Sequence, residues 1–230
     1  MTNILRTRCT LPLLSLLLVA GGVLFLPLLV LRLTGWPVFW PLAQLCGLIA
    51  VLPLAIPQLR KHGRARLYLQ AGRRKPGLPL AGVYALLAAG TLAGWFLLFP
   101  DYLRGLAVFD MVEKQIAARG LALVIIGYCL GFAVINAILE EFVFRAAILH
   151  GLLEAFPVWL ALGLQGAVFG FAHLHGVPGG WSGVLLATIY GIFMGDLMRR
   201  SDGLLYPVLA HITADIVIFL GLLGARGYLG

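Results

Sequence analysis

The chain has 230 residues, of which 61% are hydrophobic and only 11% charged, with a net charge of +8. A soluble domain carries about 25% charged residues, so this composition, with a mean hydropathy of +1.00, excludes a soluble globular protein and specifies an integral membrane one. The positive charge excludes a nucleic-acid footprint as well. Arg60, Lys61, Arg64, Arg66, Arg73, Arg74 and Lys75 share one connection between apolar runs, the mark of a cytoplasmic loop touching anionic lipid head groups.

Arg6 and Arg8 precede an apolar run over residues 11–33. It is longer than the hydrophobic part of a signal peptide and has no small-residue cleavage site behind it, so an uncleaved first helix is expected. Trp36 and Trp40, with Gly35, Pro37 and Pro41, suit an interfacial turn. A second run covers residues 42–59, the polybasic connection follows, and a third helix is predicted over 78–99. Residues 101–119 mix three acids with three bases among apolar side chains, a composition for a loop with a short interfacial helix.

Residues 120–156 then contain no proline for 37 positions. About 20 residues cross a bilayer, so this stretch must tilt, protrude or break. Pro157 opens a fifth run to about residue 172, and a glycine-rich turn covers 175–180. A sixth run over 181–198 ends at Arg199 and Arg200, and a seventh covers 204–223. The expected architecture is an all-α polytopic bundle of seven to eight membrane helices with a cytoplasmic N-terminus, in a bacterial or archaeal inner membrane. Residues 1–119 would form the N-terminal helices and 120–230 the catalytic bundle. Cys9, Cys46 and Cys129 have neither a metal spacing nor a disulfide framework.

Within the apolar runs the polar residues are few. Glu140, Glu141 and Asp215 are the acids left inside them, and His173 and His211 lie in or beside them, as His175 does. Ionisable residues at membrane depth are costly and usually functional. Glu141 and Arg145 are four apart and can pair, while Glu140 points about 100° away and is left for other work. Asn136 and Glu140 share a face, as do Phe169 and His173, and His211 and Asp215. The turn at Phe156–Pro157 is 16 residues after Glu140 and 16 before His173, so an antiparallel hairpin would bring those two to one depth. His211 is only about 10 Å into its helix, whereas His173 is expected near the far end of its own. Tilt, a broken sixth helix or a different crossing count must close that gap.

Simpler readings stand beside these. The Glu141–Arg145 pair suits a structural ion pair, Asn136 an interhelical hydrogen bond, and His175 the wet boundary. Glu140, His173, His211 and Asp215 together suit a site.

Glu140-Glu141-Phe-Val-Phe-Arg145 matches the EExxxR motif of the CPBP family, the CAAX-protease (Rce1-like) and bacteriocin-processing intramembrane proteases also called Abi. Phe169-Gly-Phe-Ala-His173 resembles its FxxxH motif, and His211-Ile-Thr-Ala-Asp215 its HxxxN motif. The resemblance covers residues 120–223. It implies intramembrane hydrolysis of a peptide bond in a membrane-associated peptide or protein. Glu140 and His173 would activate water, His211 and Asp215 would stabilise the oxyanion, and Glu141 and Arg145 would support them. Asn is the commoner residue where Asp215 stands. An ionised Asp cannot donate to an oxyanion, so Asp215 orients His211, is protonated, or binds a cation.

A metal-free glutamate mechanism is the favoured reading, with no cofactor. Zinc held by Glu140, His173 and His211 is the alternative, although no HExxH is present. A proton-coupled transporter using the same polar residues, or a non-catalytic immunity or scaffold protein, would keep these helices for other ends.

Overall fold

The computed structural model describes residues 77–99, 107–174, 176–177 and 179–229. The first two apolar runs, the polybasic connection and His175 lie outside the described residues. Those described form helices and turns with no strand among them. We label the helices α1 (Gly77–Leu98), α2 (Ala107–Arg119), α3 (Leu121–Ala155), α4 (Val158–Ala172), α5 (Gly180–Ser201) and α6 (Leu205–Ala225). Four of them, α1, α3, α5 and α6, are long and apolar enough to cross a membrane. The chain is an integral membrane protein with an all-helical, polytopic architecture.

The proline-free stretch does not break. It forms one helix of 35 residues, about 52 Å long at 1.5 Å per residue and so far longer than a bilayer core of about 30 Å. Two of its segments, Gly127–Phe132 and Phe142–Leu149, are π-helical. Such wide turns accommodate one extra residue and recur at functional sites. Between them Ala133–Glu141 is regular α-helix, and this is the segment that carries Asn136, Glu140 and Glu141.

Phe156 leaves the helix in an extended conformation and Pro157 caps the next one, as proline at a helix start does. Helix α4 has only 15 residues, about 22 Å, and cannot cross the core by itself. It packs antiparallel on α5 through glycines. A Cβ on Gly166 would lie 2.8 Å from the Thr188 carbonyl oxygen, and one on Gly170 would lie 2.5 Å from that of Val184. Across the seam, a Cβ on Gly191 would lie 3.1 Å from Gly166 Cα. Gly166 and Gly170 thus face Gly191 and Gly195, two small-xxx-small pairs that let the backbones close where lipid gives no hydrophobic drive. Helix α5 stops at Asp202, the one non-glycine among the described residues with positive φ (58°).

Helix α1 joins α5 at one end and α6 along its length. Tyr84 stacks on Phe193 at 5.0 Å and donates its hydroxyl to Asp196 Oδ2 at 3.2 Å. Asp196 also receives Arg199 and Arg200 at 2.9 and 2.6 Å. Further along α1, Leu92 and Phe96 pack with Ala214 and Leu222 of α6. The 13-residue helix α2 carries Asp110 and Glu113. Both reach Arg226 beyond the end of α6, with Glu113 Oε1 3.1 Å and Asp110 Oδ1 3.8 Å from the guanidinium.

Candidate active site

Glu140 and Glu141 leave the regular segment of α3 in different directions and meet different partners. Glu141 is fully buried, and so is Arg145. Glu141 Oε2 lies 3.0 Å from Arg145 Nε, an i,i+4 pair. The guanidinium also lies over the ring of Phe169, 4.3 Å from its centroid, a cation–π contact that a planar cation makes well away from water. Phe169 in turn meets Phe144 edge-on at 4.8 Å. The FxxxH phenylalanine is thereby the floor on which the Arg145 charge rests.

The other oxygen of Glu141 does something that spacing along one helix did not reveal. His211 Nδ1 is 2.7 Å from Glu141 Oε1. A carboxylate already paired with arginine accepts and does not donate, so His211 donates through Nδ1 and turns Nε2 the other way. There Nε2 lies 3.7 Å from Glu140 Oε2 and 3.7 Å from Asp215 Oδ1. Both separations are too long for direct hydrogen bonds. Of the readings open for Asp215, orientation of His211 by direct bonding does not occur; Glu141 fills that place. Asp215 is held by Asn136, whose Nδ2 donates to Oδ2 at 3.1 Å. The interhelical hydrogen bond expected of Asn136 therefore runs to the third motif.

His173 ends α4. Its backbone N–H bonds Gly170 O, at 2.9 Å, instead of the carbonyl four residues back. The Phe169 carbonyl so released accepts from His173 Nδ1 at 2.8 Å. A carbonyl only accepts, so Nδ1 carries the proton and the neutral ring keeps its lone pair on Nε2. That atom lies 3.9 Å from Glu140 Oε2.

The depth mismatch between His173 and His211 closes for two reasons. Helix α4 is too short to carry His173 to the far surface, and the bond to Phe169 O folds the imidazole back toward the preceding turn. His211 sits at the level of that turn, with its ring 6.1 Å from Phe169 and 5.7 Å from Tyr190.

The histidines and Asp215 line a cavity of about 190 Å³ between α1, α5 and α6. Most of its wall is apolar, including Leu87, Ala88 and Leu92 of α1, Ala187 and Ile189 of α5, and Ile218 of α6. Leu87 and Ile189 are also exposed on the outer surface, so the cavity reaches the side that faces lipid. Tyr190 and Thr91 line it too. Tyr190 drew no attention in the sequence, because an aromatic in an apolar run reads as packing.

Zinc bound tetrahedrally at about 2.1 Å sets its ligands about 3.4 Å apart. Glu140 Oε2 and the two imidazole Nε2 atoms are spaced slightly wider. Among the described residues no group of three or more His, Cys, Asp or Glu side chains has the spacing of a metal site.

Residues 120–217 match the family described as Rce1-like, type II CAAX prenyl endopeptidase. No curated protein and no solved structure matches the chain. The matched residues take in the segment of α3 with both glutamates, all of α4 and α5, and α6 as far as Asp215 and just beyond. Through this bundle the chain belongs to the Rce1-like family of type II CAAX prenyl endopeptidases.

Proposed function

We infer that the protein is an intramembrane endopeptidase in which Glu140 activates water against a peptide bond of a membrane-associated substrate. One observation carries this reading. Glu140 Oε2 is buried without a hydrogen-bond partner among the described residues, yet two imidazole nitrogens face it at 3.9 and 3.7 Å. Polar groups so spaced are linked by a third atom between them rather than to each other.

Water between Glu140 Oε2 and His173 Nε2 would give a proton to the carboxylate as its oxygen attacks the carbonyl carbon. The new C–O bond pushes the carbonyl electron pair onto oxygen, where His211 Nε2–H faces it. Collapse of the tetrahedral species breaks the C–N bond, and the proton on Glu140 passes to the leaving amine. Glu141 holds His211, Arg145 holds Glu141, and Asn136 holds Asp215. The apolar cavity favours a substrate that arrives through the lipid phase, such as a prenylated chain end, a leader peptide or a sorting signal. The polybasic connection over residues 60–75 would lie on anionic lipid with the N-terminus on the same, cytoplasmic side.

Glu140→Gln tests this directly. The variant keeps the side chain's size and one acceptor oxygen but cannot take the proton. It is expected to bind a prenylated CAAX peptide while cleaving it at least about 10³-fold more slowly, as when a general base is lost. Cleavage at the wild-type rate would sink the reading, and a pH-dependent ion flux lost in the same variant would favour the transporter instead. Assays with and without a chelator decide the zinc alternative: the glutamate mechanism retains its rate, and zinc held by Glu140, His173 and His211 does not.

A further inference from the structure

Attack on a carbonyl places negative charge on its oxygen, and that charge calls for hydrogen-bond donors aimed at it. The polar residues lining the cavity are Thr91, His173, Tyr190, His211 and Asp215. Thr91 already donates to the Leu87 carbonyl at 2.8 Å. His173 has committed its proton to Phe169 O and shows the cavity a lone pair. Asp215 accepts from Asn136 and, as a carboxylate where an amide is commoner, repels an oxyanion rather than binding it. Two donors remain, His211 Nε2–H and the phenol of Tyr190.

The Tyr190 hydroxyl is buried and has no hydrogen-bond partner among the described residues. Folded proteins seldom leave such a group unsatisfied unless a ligand or water completes it. Its ring is held firmly beside the reacting groups, edge-on to His211 at 5.7 Å with an interplanar angle of 79°, and 6.3 Å from Phe169. The next residue, Gly191, is pressed against Gly166 and Phe169, so the helix cannot drift from the site.

We propose that Tyr190 is a catalytic residue whose hydroxyl donates a hydrogen bond to the oxyanion beside His211, filling the part that Asp215 cannot. No proton is transferred; the phenol stays protonated through the turnover and its hydrogen bond strengthens as charge builds on the oxygen. This assignment rests on the protease reading.

Tyr190→Phe keeps the ring and its packing and removes only the donor. The whole protein, reconstituted in liposomes, is assayed on a prenylated CAAX peptide and titrated with a phosphinate analogue of that peptide, whose tetrahedral anion resembles the intermediate. The variant is expected to lose about 10- to 100-fold in kcat with KM within about twofold. Affinity for the phosphinate should fall in parallel. An unchanged kcat would overturn the proposal. So would a lower kcat with undiminished phosphinate affinity, the signature of a ring that merely packs on His211. A wild-type protein that cleaves no peptide fails the protease reading itself and takes this assignment with it, and the wild-type arm alone identifies that case.

Discussion

His211 Nδ1 lies 2.7 Å from Glu141 Oε1, so the second glutamate of the pair on α3 reaches the third motif on α6. One carboxylate thus serves two masters. Its Oε2 neutralises a fully buried arginine, and its Oε1 fixes which nitrogen of the histidine carries the proton. A histidine ligated or hydrogen-bonded through one nitrogen has its other nitrogen defined in both direction and tautomer.

Replacing Glu141 by Gln is therefore expected to damage stability and turnover together. Arg145 would be left charged and without a counter-ion at zero exposure, a loss of about 3–5 kcal/mol for a broken buried pair. His211 would lose its charged acceptor, and kcat should fall at least about 10-fold. Thermal unfolding in detergent and the cleavage assay read the two effects. A Glu141→Gln, Arg145→Met double variant should regain stability without regaining rate, and a single variant as stable as wild type would contradict the pairing.

Gly170→Ala tests whether the α4–α5 seam sets the position of His173. The added methyl would meet the Thr188 hydroxyl and the Val184 carbonyl oxygen, the latter at 2.5 Å. Overpacking of this kind costs about 1–3 kcal/mol. His173 follows three residues later and bonds back to Gly170 and Phe169, so activity should fall further than the lost stability explains. Gly163→Ala, where a Cβ meets nothing within 4 Å, should leave both unchanged.

The route into the cavity can be narrowed from its wall. Ala187 lines it from α5 and is small. Ala187→Leu should raise KM for a lipid-anchored peptide several-fold with kcat little changed, the pattern of lost ground-state binding. A short water-soluble peptide with the same scissile bond should be less affected. Equal effects on both would argue against entry from the lipid side.

Much of this arrangement was legible in the sequence. Glu140 and His173 are equidistant from the Phe156–Pro157 turn, and this spacing anticipated their approach. The i,i+4 rule found Glu141 with Arg145 and Phe169 beneath His173. Other features were hidden for physical reasons. Pairing Glu141 with Arg145 appeared to account for its charge, but a carboxylate has two oxygens and only the fold shows where the second points. The end of α4 was invisible because residues 158–172 and the turn after them are equally apolar at first. That end sets the depth of His173, so its convergence with His211 could not be foreseen. Tyr190 carries no motif, and only its buried, unsatisfied oxygen distinguishes it from a packing residue.

The wide turns of α3 have a consequence for how this chain tolerates change in length. Each lets an unbroken helix shift its angular register, so that Glu140 and Glu141 face the histidines while Ile148, Leu149 and Leu152 below them still face the core. Deleting one residue within Phe142–Leu149 would restore ordinary pitch and swing everything after it by about 100°. Leu149 and Leu152 would turn toward lipid and the hairpin into α4 would leave in the wrong direction. A single-codon deletion there should be as harmful as losing a catalytic side chain, although it removes none.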